Sequence, residues 1–597
     1  MISAGGRYVI TYNGEVYNFA ELRRELEPKG HIFRGHSDTE VMLAAFEQWG
    51  IESAAKRFVG MFAFGVWDRA SQTLYLVRDR LGIKPLYYGW AGQTFLFSSE
   101  LKAFRAYSDF KAEINRDALA LYLRHNYVPT PFSIYRNVYK LLPGCIFVVP
   151  RDQVCRASAF SPFPEDQQAR WKPVRYWSLR EVAERGCAHP FEGSDVEAVE
   201  HLDCLLRDAV RLRMVADVPL GAFLSGGIDS STVVALMQAQ SKQPVKTFTI
   251  GFHEQSYNEA HDAQEVARCL GTEHTELYVT PEEAMAVIPK LSTLYDEPFS
   301  DSSQIPTFLV SDLARRYATV SLSGDGGDEL FAGYNRYFWW RSIGEKIGWM
   351  SRGVRSAVAS AATAVSPQGW NCAFDALGPL LPFKLRSHTP GDKLHKMAAM
   401  IVLDSPEAMY YGLVSHWNDP TSVVLDSCEP PTTLTNPSLW ADLPDFTQQM
   451  MYLDTVTYLP DDILTKLDRA SMGVSLEARV PLLDHRVVEF AWQVPVSMKV
   501  RHGRGKWLLQ QVLCKYVPRK LIERPKMGFG MPIDVWLRGP LRGWAESLLD
   551  ERRLREDGFF NPEPIQKKWV EHLSGRYNRQ DHLWDILMFQ AWKERWC

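Results

Sequence analysis

A loop rich in glycine and serine is the most informative part of this 597-residue chain. It covers residues 224–231, follows the apolar segment 218–223 and leads into the apolar segment 232–237. This order predicts a buried strand, a tight loop and the first turn of a helix. Glycine lets a backbone approach a ligand closely, and a helix N-terminus offers unpaired N–H groups and the positive end of its dipole. With three serine hydroxyls as further donors, the loop is predicted to cradle a pyrophosphate.

Asp229 is the acidic residue of this loop. A carboxylate repels phosphate, so we predict that Asp229 is a Mg²⁺ ligand beside the phosphates. The loop does not have the Walker pattern Gly-x-x-x-x-Gly-Lys-Ser/Thr. It resembles instead the pyrophosphate loop of the ATP pyrophosphatases, which split ATP between its α and β phosphates. An ordinary Ser/Gly turn that caps a helix is the alternative.

A second glycine loop, over residues 323–329, is acidic and directly follows the apolar segment 318–322. Ligands of an open parallel sheet bind at the carboxyl ends of its strands, so this loop and the loop 224–231 are predicted to meet across one crevice. Acids that face a phosphate cradle need a cation between them and the phosphates. Asp229 and Asp328 are therefore the predicted Mg²⁺ ligands, with a solvated acidic turn as the alternative.

Three other segments carry candidate polar residues. The polar loop 295–301 fits either a surface turn or part of the site. The segment 477–484 places two carboxylates and an arginine in an apolar stretch. Because buried charges need partners, this segment fits either an internal ion-pair network or a substrate site. Lys526 lies in a loop of proline and glycine, where a lysine would stabilise charge on departing pyrophosphate or on an acyl-adenylate. Lys466 is the rival for that role.

The first 150 residues are predicted to be rich in strands. Strands are predicted at residues 7–12, 15–17, 62–67 and 73–77. The first two are predicted to be joined by a turn at Asn13-Gly14. Helices are predicted at 19–27 and 38–49, the second with Ser37 as its N-cap and Glu40 three residues later.

From about residue 195, helices and strands alternate. A helix is predicted at 196–213, and strands at 218–224, 245–250 and 318–322. Such alternation favours a parallel α/β sheet, and residues 337–450 and 500–597 are predicted to be mostly helical. The expected domains are 1–155 and 191–597, joined by a polar linker over 156–190.

Composition excludes several functional classes. The net charge of −4 provides no global basic field, so nucleic acid is not an implied partner. The nine cysteines form no Cys-x-x-Cys pair, which argues against a zinc site or a disulfide framework and for a reducing cytoplasm. No apolar run reaches about 18 residues, so no membrane-spanning helix is expected.

Taken together, the motifs resemble those of the class B, glutamine-dependent asparagine synthetases. Besides the segments above, the resemblance rests on residues 12–18, 37–40, 78–88 and 524–529, and it covers nearly the whole chain. It implies an N-terminal glutaminase domain of the Ntn-hydrolase αββα type, here incomplete, followed by a parallel α/β ATP-pyrophosphatase domain with helical insertions. It also implies that aspartate, ATP and glutamine or ammonia give asparagine, AMP and pyrophosphate through a β-aspartyl-adenylate, with Mg²⁺.

The resemblance also implies roles for single residues. Contacts to ATP or pyrophosphate are implied for Leu224, Ser225, Gly226, Gly227, Asp229, Ser230, Ser231, Ile250, Ser323 and Gly324. Asp325 takes the place of an acidic residue near the intermediate, and Lys526 that of the lysine that stabilises the adenylation transition state. In the glutaminase half, Asn13 and Gly14 match the oxyanion hole, whereas Glu15 and Asp38 match the acids that bind glutamine.

The N-terminal domain departs from the family pattern. The family's nucleophile is an N-terminal Cys whose own α-amine is the base, whereas residue 2 here is Ile and the first cysteine is Cys145. Either the start codon is misplaced and an upstream start restores the domain, or the glutaminase of the chain as written is inactive. Retention of the oxyanion-hole and glutamine-binding residues favours the first alternative. For the chain as written, we expect ammonia-dependent amide formation without glutamine hydrolysis.

Other substrates stay open. β-Lactam synthetases and peptide cyclases share the architecture and also lack the N-terminal Cys, and amidation of a sugar carboxylate is another alternative. A non-catalytic relic used only for binding is disfavoured, because both glycine loops are intact. The expected partners are small-molecule substrates. The sequence does not fix the oligomeric state, for which a homodimer is one alternative.

Overall fold

The structure is a computed structural model that describes residues 1–154, 160–252, 259–338, 350–377, 390–403, 405–523 and 530–597. Its N-terminal part contains two antiparallel sheets, with strand orders β1-β2-β3-β7-β8 and β5-β4-β6. These strands are β1 (Tyr8–Val16), β2 (Gly60–Asp68), β3 (Thr73–Arg78), β4 (Tyr87–Ala91), β5 (Thr94–Ser98), β6 (Val138–Lys140), β7 (Cys145–Pro150) and β8 (Val174–Arg175).

Helices cover one face of the larger sheet, and the smaller sheet covers the other. The first helices are α1 (Phe19–Leu26), α2 (Asp38–Trp49), α3 (Ile51–Arg57), α4 (Leu101–Arg105) and α5 (Arg116–His125). Phe46 of α2 packs on Phe64 of β2 with ring centroids 5.6 Å apart. Between the sheets, Tyr88 of β4 packs on Phe147 of β7 at 4.9 Å. The strands predicted at 62–67 and 73–77 are confirmed as the antiparallel neighbours β2 and β3.

The predicted turn at Asn13-Gly14 is wrong. Strand β1 runs through both residues, and they pair with Ala63 and Phe62 of β2 in one antiparallel register. Gly14 has φ +141°, and a Cβ there would lie 2.0 Å from the carbonyl oxygen of Met61. The glycine is therefore explained by close approach of two strands, and not by a hairpin turn.

Both predicted helices of this part are confirmed as α1 and α2. The Ser37 hydroxyl accepts a hydrogen bond from the amide of Thr39 at 3.1 Å, so the predicted N-cap is present. The carboxylate of Glu40 turns instead to the preceding loop, where it accepts from the amides of Arg34 and Gly35 at 2.8 and 2.9 Å.

The second part is built on a five-stranded sheet with the order β11-β10-β9-β12-β13, in which every neighbouring pair is parallel. Its strands are β9 (Leu220–Phe223), β10 (Lys246–Phe252), β11 (Glu273–Val279), β12 (Val320–Leu322) and β13 (Glu477–Arg479). The three predicted strands are thus confirmed as parallel neighbours. The two outer strands were not predicted, since β11 is largely polar and β13 has only three residues.

Helices surround this sheet. Up to the middle of the chain they are α6 (Leu179–Ala188), α7 (Asp195–Arg213), α8 (Ile228–Gln238), α9 (Ala260–Leu270), α10 (Pro281–Met285), α11 (Ile288–Leu294), α12 (Gln304–Arg315), α13 (Gly327–Leu330), α14 (Arg352–Ala364), α15 (Pro367–Leu377), α16 (Pro390–Ile401) and α17 (Pro406–Leu413). Beyond them come α18 (Phe446–Val456), a π-helical turn (Leu459–Ile463), α19 (Leu464–Met472), α20 (His485–Gln493), α21 (Val496–Lys499), α22 (Trp507–Leu513), α23 (Ile533–Arg538), α24 (Arg542–Leu548), α25 (Glu551–Asp557), α26 (Pro562–Leu573) and α27 (Gln580–Trp596).

The segment 156–190, expected as a linker, contributes to both parts. Its strand β8 pairs with β7 of the first sheet, and its helix α6 packs against α20 of the second part. Every helix in the described ranges is too short or too polar to cross a lipid bilayer.

Candidate active site

The loop 224–231 has the predicted strand–loop–helix structure. Strand β9 ends at Phe223, and α8 begins at Ile228 with Gly227 as its N-cap. The Ser230 hydroxyl accepts from the amide of Ser225 at 3.2 Å, and the two hydroxyl oxygens are 3.0 Å apart. The serines therefore hold the loop in a closed turn at the N-terminus of α8, where unpaired N–H groups accumulate.

The two glycine loops are in contact, as predicted. A Cβ on Gly324 would lie 2.6 Å from the amide nitrogen of Ser230, and a Cβ on Gly327 would lie 2.4 Å from Oδ1 of Asp229. On the other side, the amide of Ser323 donates to the carbonyl oxygen of Arg479 in β13 at 2.8 Å. The loop 323–329 is thus clamped between the start of α8 and the end of β13. Leu224 and Ile250, which the sequence analysis also named, are buried nearby. Leu224 directly follows the end of β9, and Ile250 lies within β10.

Asp229 and Asp328 converge on one cationic group. The ammonium of Lys506 lies 2.8 Å from Oδ1 of Asp328 and also forms an ion pair with Asp229. Burial opposes the charge of Lys506, but the two carboxylates outweigh it and raise its pKa above the ordinary value. Lys506 was not predicted, although a lysine that follows Gly503 and Gly505 at the start of an apolar helix could have suggested it.

Asp325 and Lys466 lie at the same end of the sheet. Ser323 donates a hydrogen bond of 2.5 Å to the carboxylate of Asp325, whose pKa is raised by burial despite this bond and the charge of Lys466. Lys466 of α19 donates to Asp301 at 2.5 Å and lies 3.5 Å from Asp462. Asp301 belongs to the loop 295–301, so this loop joins the site. Lys526 lies outside the described residues.

The pKa values of the two acidic neighbours of Lys466 are shifted in opposite directions. Burial alone would raise the pKa of Asp301, but the ammonium of Lys466 outweighs it and holds that pKa below the usual range. The pKa of Asp462 is raised by burial and by the charge of Asp301. Asp462 therefore holds a proton more readily than Asp301, whose carboxylate pairs with the ammonium of Lys466.

A cavity of about 290 Å³ opens beside Asp301 and Asp462. His125 lines it, and its Nδ1 lies 3.3 Å from the carbonyl oxygen of Val414. A carbonyl only accepts, so Nδ1 carries the proton and the buried Nε2 is an acceptor without a hydrogen-bond partner among the described residues. Burial lowers the pKa of His125 to about 3. His416 also lines the cavity; burial opposes its charge, but Asp585 at 3.0 Å raises its pKa to about 9.

The residues matched to a glutamine site lie together at one end of β1. Asn13 donates to the hydroxyl of Ser99 at 3.0 Å. Asp38, the first residue of α2, accepts from the amide of Val16 at 2.9 Å. Glu15 lies 3.7 Å from the guanidinium of Arg479, and burial together with Glu477 raises its pKa to about 7. This end of β1 therefore faces β13 of the second part.

The segment 78–88 joins the two parts. Lys84 and Asp468 of α19 form an ion pair of 3.0 Å, with side chains that are 4% and 8% exposed. Arg78 is fully buried and donates to three carbonyl oxygens, those of Gly82, Lys84 and Leu141. This interface accounts for charged residues that no periodic pattern would bury.

Comparison with known proteins assigns both parts. The family model described as asparagine synthase matches residues 201–594, and the model described as a glutamine amidotransferase domain matches residues 1–160. The chain is 33% identical over 586 residues to asparagine synthetase [glutamine-hydrolyzing] 1 of Bacillus subtilis, with 98% of this chain and 85% of that protein covered.

More distant relatives carry other names. The amidase chry2 of Gibberella zeae is 26% identical over 606 residues, covering 97% of this chain and 84% of that protein. Among solved structures, glutamine phosphoribosylpyrophosphate amidotransferase of B. subtilis matches 47% of this chain and 73% of its own at 15% identity, with a TM-score of 0.22, too low to carry an argument. On the family models and the B. subtilis relative, the chain belongs to the asparagine synthase family, with a glutamine amidotransferase domain as its N-terminal part.

Proposed function

We propose that this ligase makes asparagine from aspartate, ATP and ammonia, releasing AMP and pyrophosphate through a β-aspartyl-adenylate. The observation that carries the proposal is the contact between the loops 224–231 and 323–329, at which Asp229, Asp328 and Lys506 meet. A phosphate cradle and an acidic loop at the carboxyl ends of parallel strands form a site for a nucleotide with a cation.

In this proposal the loop 224–231 and Ser323-Gly324 bind the phosphates of ATP through backbone amides and hydroxyls. Asp229 and Asp328 fit a Mg²⁺ site, because their carboxylates already converge on one ammonium, that of Lys506. Bound Mg²⁺ would neutralise charge on the departing pyrophosphate. The ammonium of Lys506 lies where it would hold the same pyrophosphate oxygens.

The residues beyond the phosphates suit acyl transfer. Lys466 is held by Asp301 and is positioned to stabilise negative charge on the adenylate. Asp325, whose pKa is raised by burial, would take a proton from the attacking nitrogen. We propose Lys526 for the transition state of adenylation from the family resemblance alone.

The cavity of about 290 Å³ is the proposed pocket for the acid. It is lined by the charged His416, which favours a carboxylate, and by the carboxylate of Asp301, which favours an ammonium group. A small acid with an α-amino group matches this set. The fungal amidase relative keeps a second candidate open, in which the same chemistry acts on another carboxylate.

For the nitrogen, we propose that the ATP-dependent half accepts ammonia directly. Asn13, Glu15 and Asp38 lie together at one end of β1 and are the proposed contacts for glutamine. Cys145 is excluded as the glutaminase nucleophile, because it is fully buried and burial raises the pKa of its thiol to about 11.

Pyrophosphate release with ATP, Mg²⁺ and aspartate tests the proposal, with ammonium and glutamine compared as nitrogen sources. We expect AMP, pyrophosphate and asparagine with ammonium, and glutamate formed from glutamine is measured separately as the readout of the N-terminal half. ADP as the nucleotide product would contradict the adenylation chemistry. Activity with another carboxylate but not with aspartate would favour the second candidate.

A further inference from the structure

One arginine contacts both candidate sites of the chain. Arg479 is the last residue of β13 and is 3% exposed. Its carbonyl oxygen accepts a hydrogen bond of 2.8 Å from the amide of Ser323, the first residue of the loop 323–329. Its side chain extends towards the N-terminal part, where Nη2 lies 3.7 Å from Oε1 of Glu15. The backbone and the side chain of one residue thus connect the proposed phosphate loop with a proposed glutamine contact.

Three hydrogen bonds hold the guanidinium of Arg479 in place. Nε donates to Oε1 of Glu477 at 2.6 Å, and Nη1 donates to the carbonyl oxygens of Arg213 and Val215 at 2.9 and 2.7 Å. A buried guanidinium that is anchored in this way has little rotamer freedom, and packed interiors transmit displacements. A movement of the end of β13 therefore changes the position of the guanidinium relative to Glu15, and bending of the side chain does not absorb it.

The charge of Glu15 depends on where this guanidinium lies. Burial and the neighbouring Glu477 raise the pKa of Glu15 to about 7, whereas Arg479 lowers it. Asp38 in α2 and Asp217 also act on this carboxyl group, and both raise its pKa. Among these neighbours only Arg479 favours the ionised form of Glu15, which is the form that attracts the ammonium group of glutamine.

We propose that Arg479 is a positioning residue that couples the two sites, so that a nucleotide bound at the loop 323–329 changes the affinity of the N-terminal part for glutamine. The inference rests on the proposed function, because it takes Ser323-Gly324 as phosphate contacts and Glu15 as a glutamine contact. A phosphate that binds the loop displaces Ser323, and the hydrogen bond from its amide transmits the displacement to Arg479 and hence to Glu15. The effect is reciprocal, since glutamine must change the affinity for the nucleotide by the same factor.

Isothermal titration calorimetry of the full chain with L-glutamine tests the proposal, with and without Mg²⁺ and α,β-methylene-ATP, an analogue that cannot be cleaved between its α and β phosphates. We expect the Kd for glutamine to differ by about fivefold or more between the two conditions. If the wild type binds both ligands but the two Kd values agree within about twofold, the coupling is refuted while the proposed function stands. A wild type that does not bind the analogue, or does not bind glutamine, would contradict the proposed function and this inference with it.

Two substitutions separate this role from a merely structural one. Arg479→Met removes the cation beside Glu15, so the pKa of Glu15 rises further, and the pH midpoint of glutamine binding should move upward while the ratio of the two Kd values falls to about one. Arg479→Lys keeps a positive charge but lacks the planar fork that makes the three hydrogen bonds. It should hold the pH midpoint nearer to that of the wild type and still lose the coupling.

Arg486→Met is the matched control. Arg486 lies on α20, and its ion pairs are with Asp484 at 2.9 Å and Asp208 at 2.6 Å. The variant loses a cation close to Arg479 in sequence and should keep both the pH midpoint and the ratio of Kd values. Coupling that persists in both Arg479 variants would overturn the role of Arg479. The comparison in the wild type needs no variant and holds even if a variant fails to fold.

Discussion

Replacement of Gly324 by alanine would push the two glycine loops apart. The added Cβ would lie 2.6 Å from the amide nitrogen of Ser230, 2.8 Å from the carbonyl carbon of Asp229 and 2.9 Å from Cα of Ser230. All three are backbone atoms, so no side chain can rotate away. Because ordinary contacts begin near 3.4 Å, the loop 323–329 and the start of α8 must separate by about 0.8 Å.

The magnitude follows from how strictly reacting groups must be placed. A misplacement of about 1 Å lowers rates by about 100-fold, so we expect kcat/KM of Gly324→Ala for pyrophosphate release to fall by about 100-fold, or about 2.7 kcal/mol of transition-state stabilisation. The assay is pyrophosphate release with ATP, Mg²⁺, aspartate and ammonium. Thermal unfolding of the same samples separates a displaced loop from a lost fold.

Gly543→Ala is the matched control. Gly543 lies in α24, and a Cβ there would meet nothing within 4 Å. We expect unchanged activity and a gain in stability of up to about 1 kcal/mol, because alanine favours the helix. If Gly324→Ala kept its activity within threefold of the wild type (roughly the scatter of such comparisons), while unfolding at the same temperature, the loop contact would not be the phosphate site.

Three further predictions concern the charges. Lys506→Met leaves Asp229 and Asp328 without their shared ammonium. We expect pyrophosphate release to fall by about 100-fold, and added Mg²⁺ to raise the unfolding temperature of the variant more than that of the wild type. An unchanged rate would contradict the role of Lys506. Lys84→Met leaves the buried carboxylate of Asp468 without its partner and should lower the free energy of unfolding in urea by about 3 kcal/mol. The double variant Lys84→Met/Asp468→Leu should recover most of this loss. Equal losses in the two variants would argue against the ion pair. Burial holds the pKa of His572 at about 4 in the folded protein, against 6.5 as its ordinary value. The unfolded chain therefore binds a proton at a higher pH than the folded protein does, so stability should fall as the pH drops from about 6.5 to 4. The fall should be less steep in His572→Gln. Equal slopes of unfolding temperature against pH in the two proteins would show that His572 is not the cause.

Local sequence patterns were enough to predict those helices and strands whose own residues determine their structure. The helices α1 and α2 and the hairpin of β2 and β3 lie where their periodicity and the Ser37 cap predict them. The Asn13-Gly14 dipeptide misled because the same two residues suit a type I′ turn and a close strand contact, and the choice depends on β2, some 50 residues away. Strand β13 is three residues long, and its only strand signal is its pairing with β12.

The sequence by itself determined the glycine loops 224–231 and 323–329 and their order after buried strands, because glycine and serine between an apolar strand and a helix favour a tight loop. Only the tertiary structure decided which charges meet. Lys506 reaches Asp229 across 277 residues, Lys84 reaches Asp468 across 384, and Glu15 faces Arg479. Such pairs carry no periodic signal, since each charge is stable in solvent until the folded chain buries it, and burial then requires a partner that only the packing of distant elements can supply.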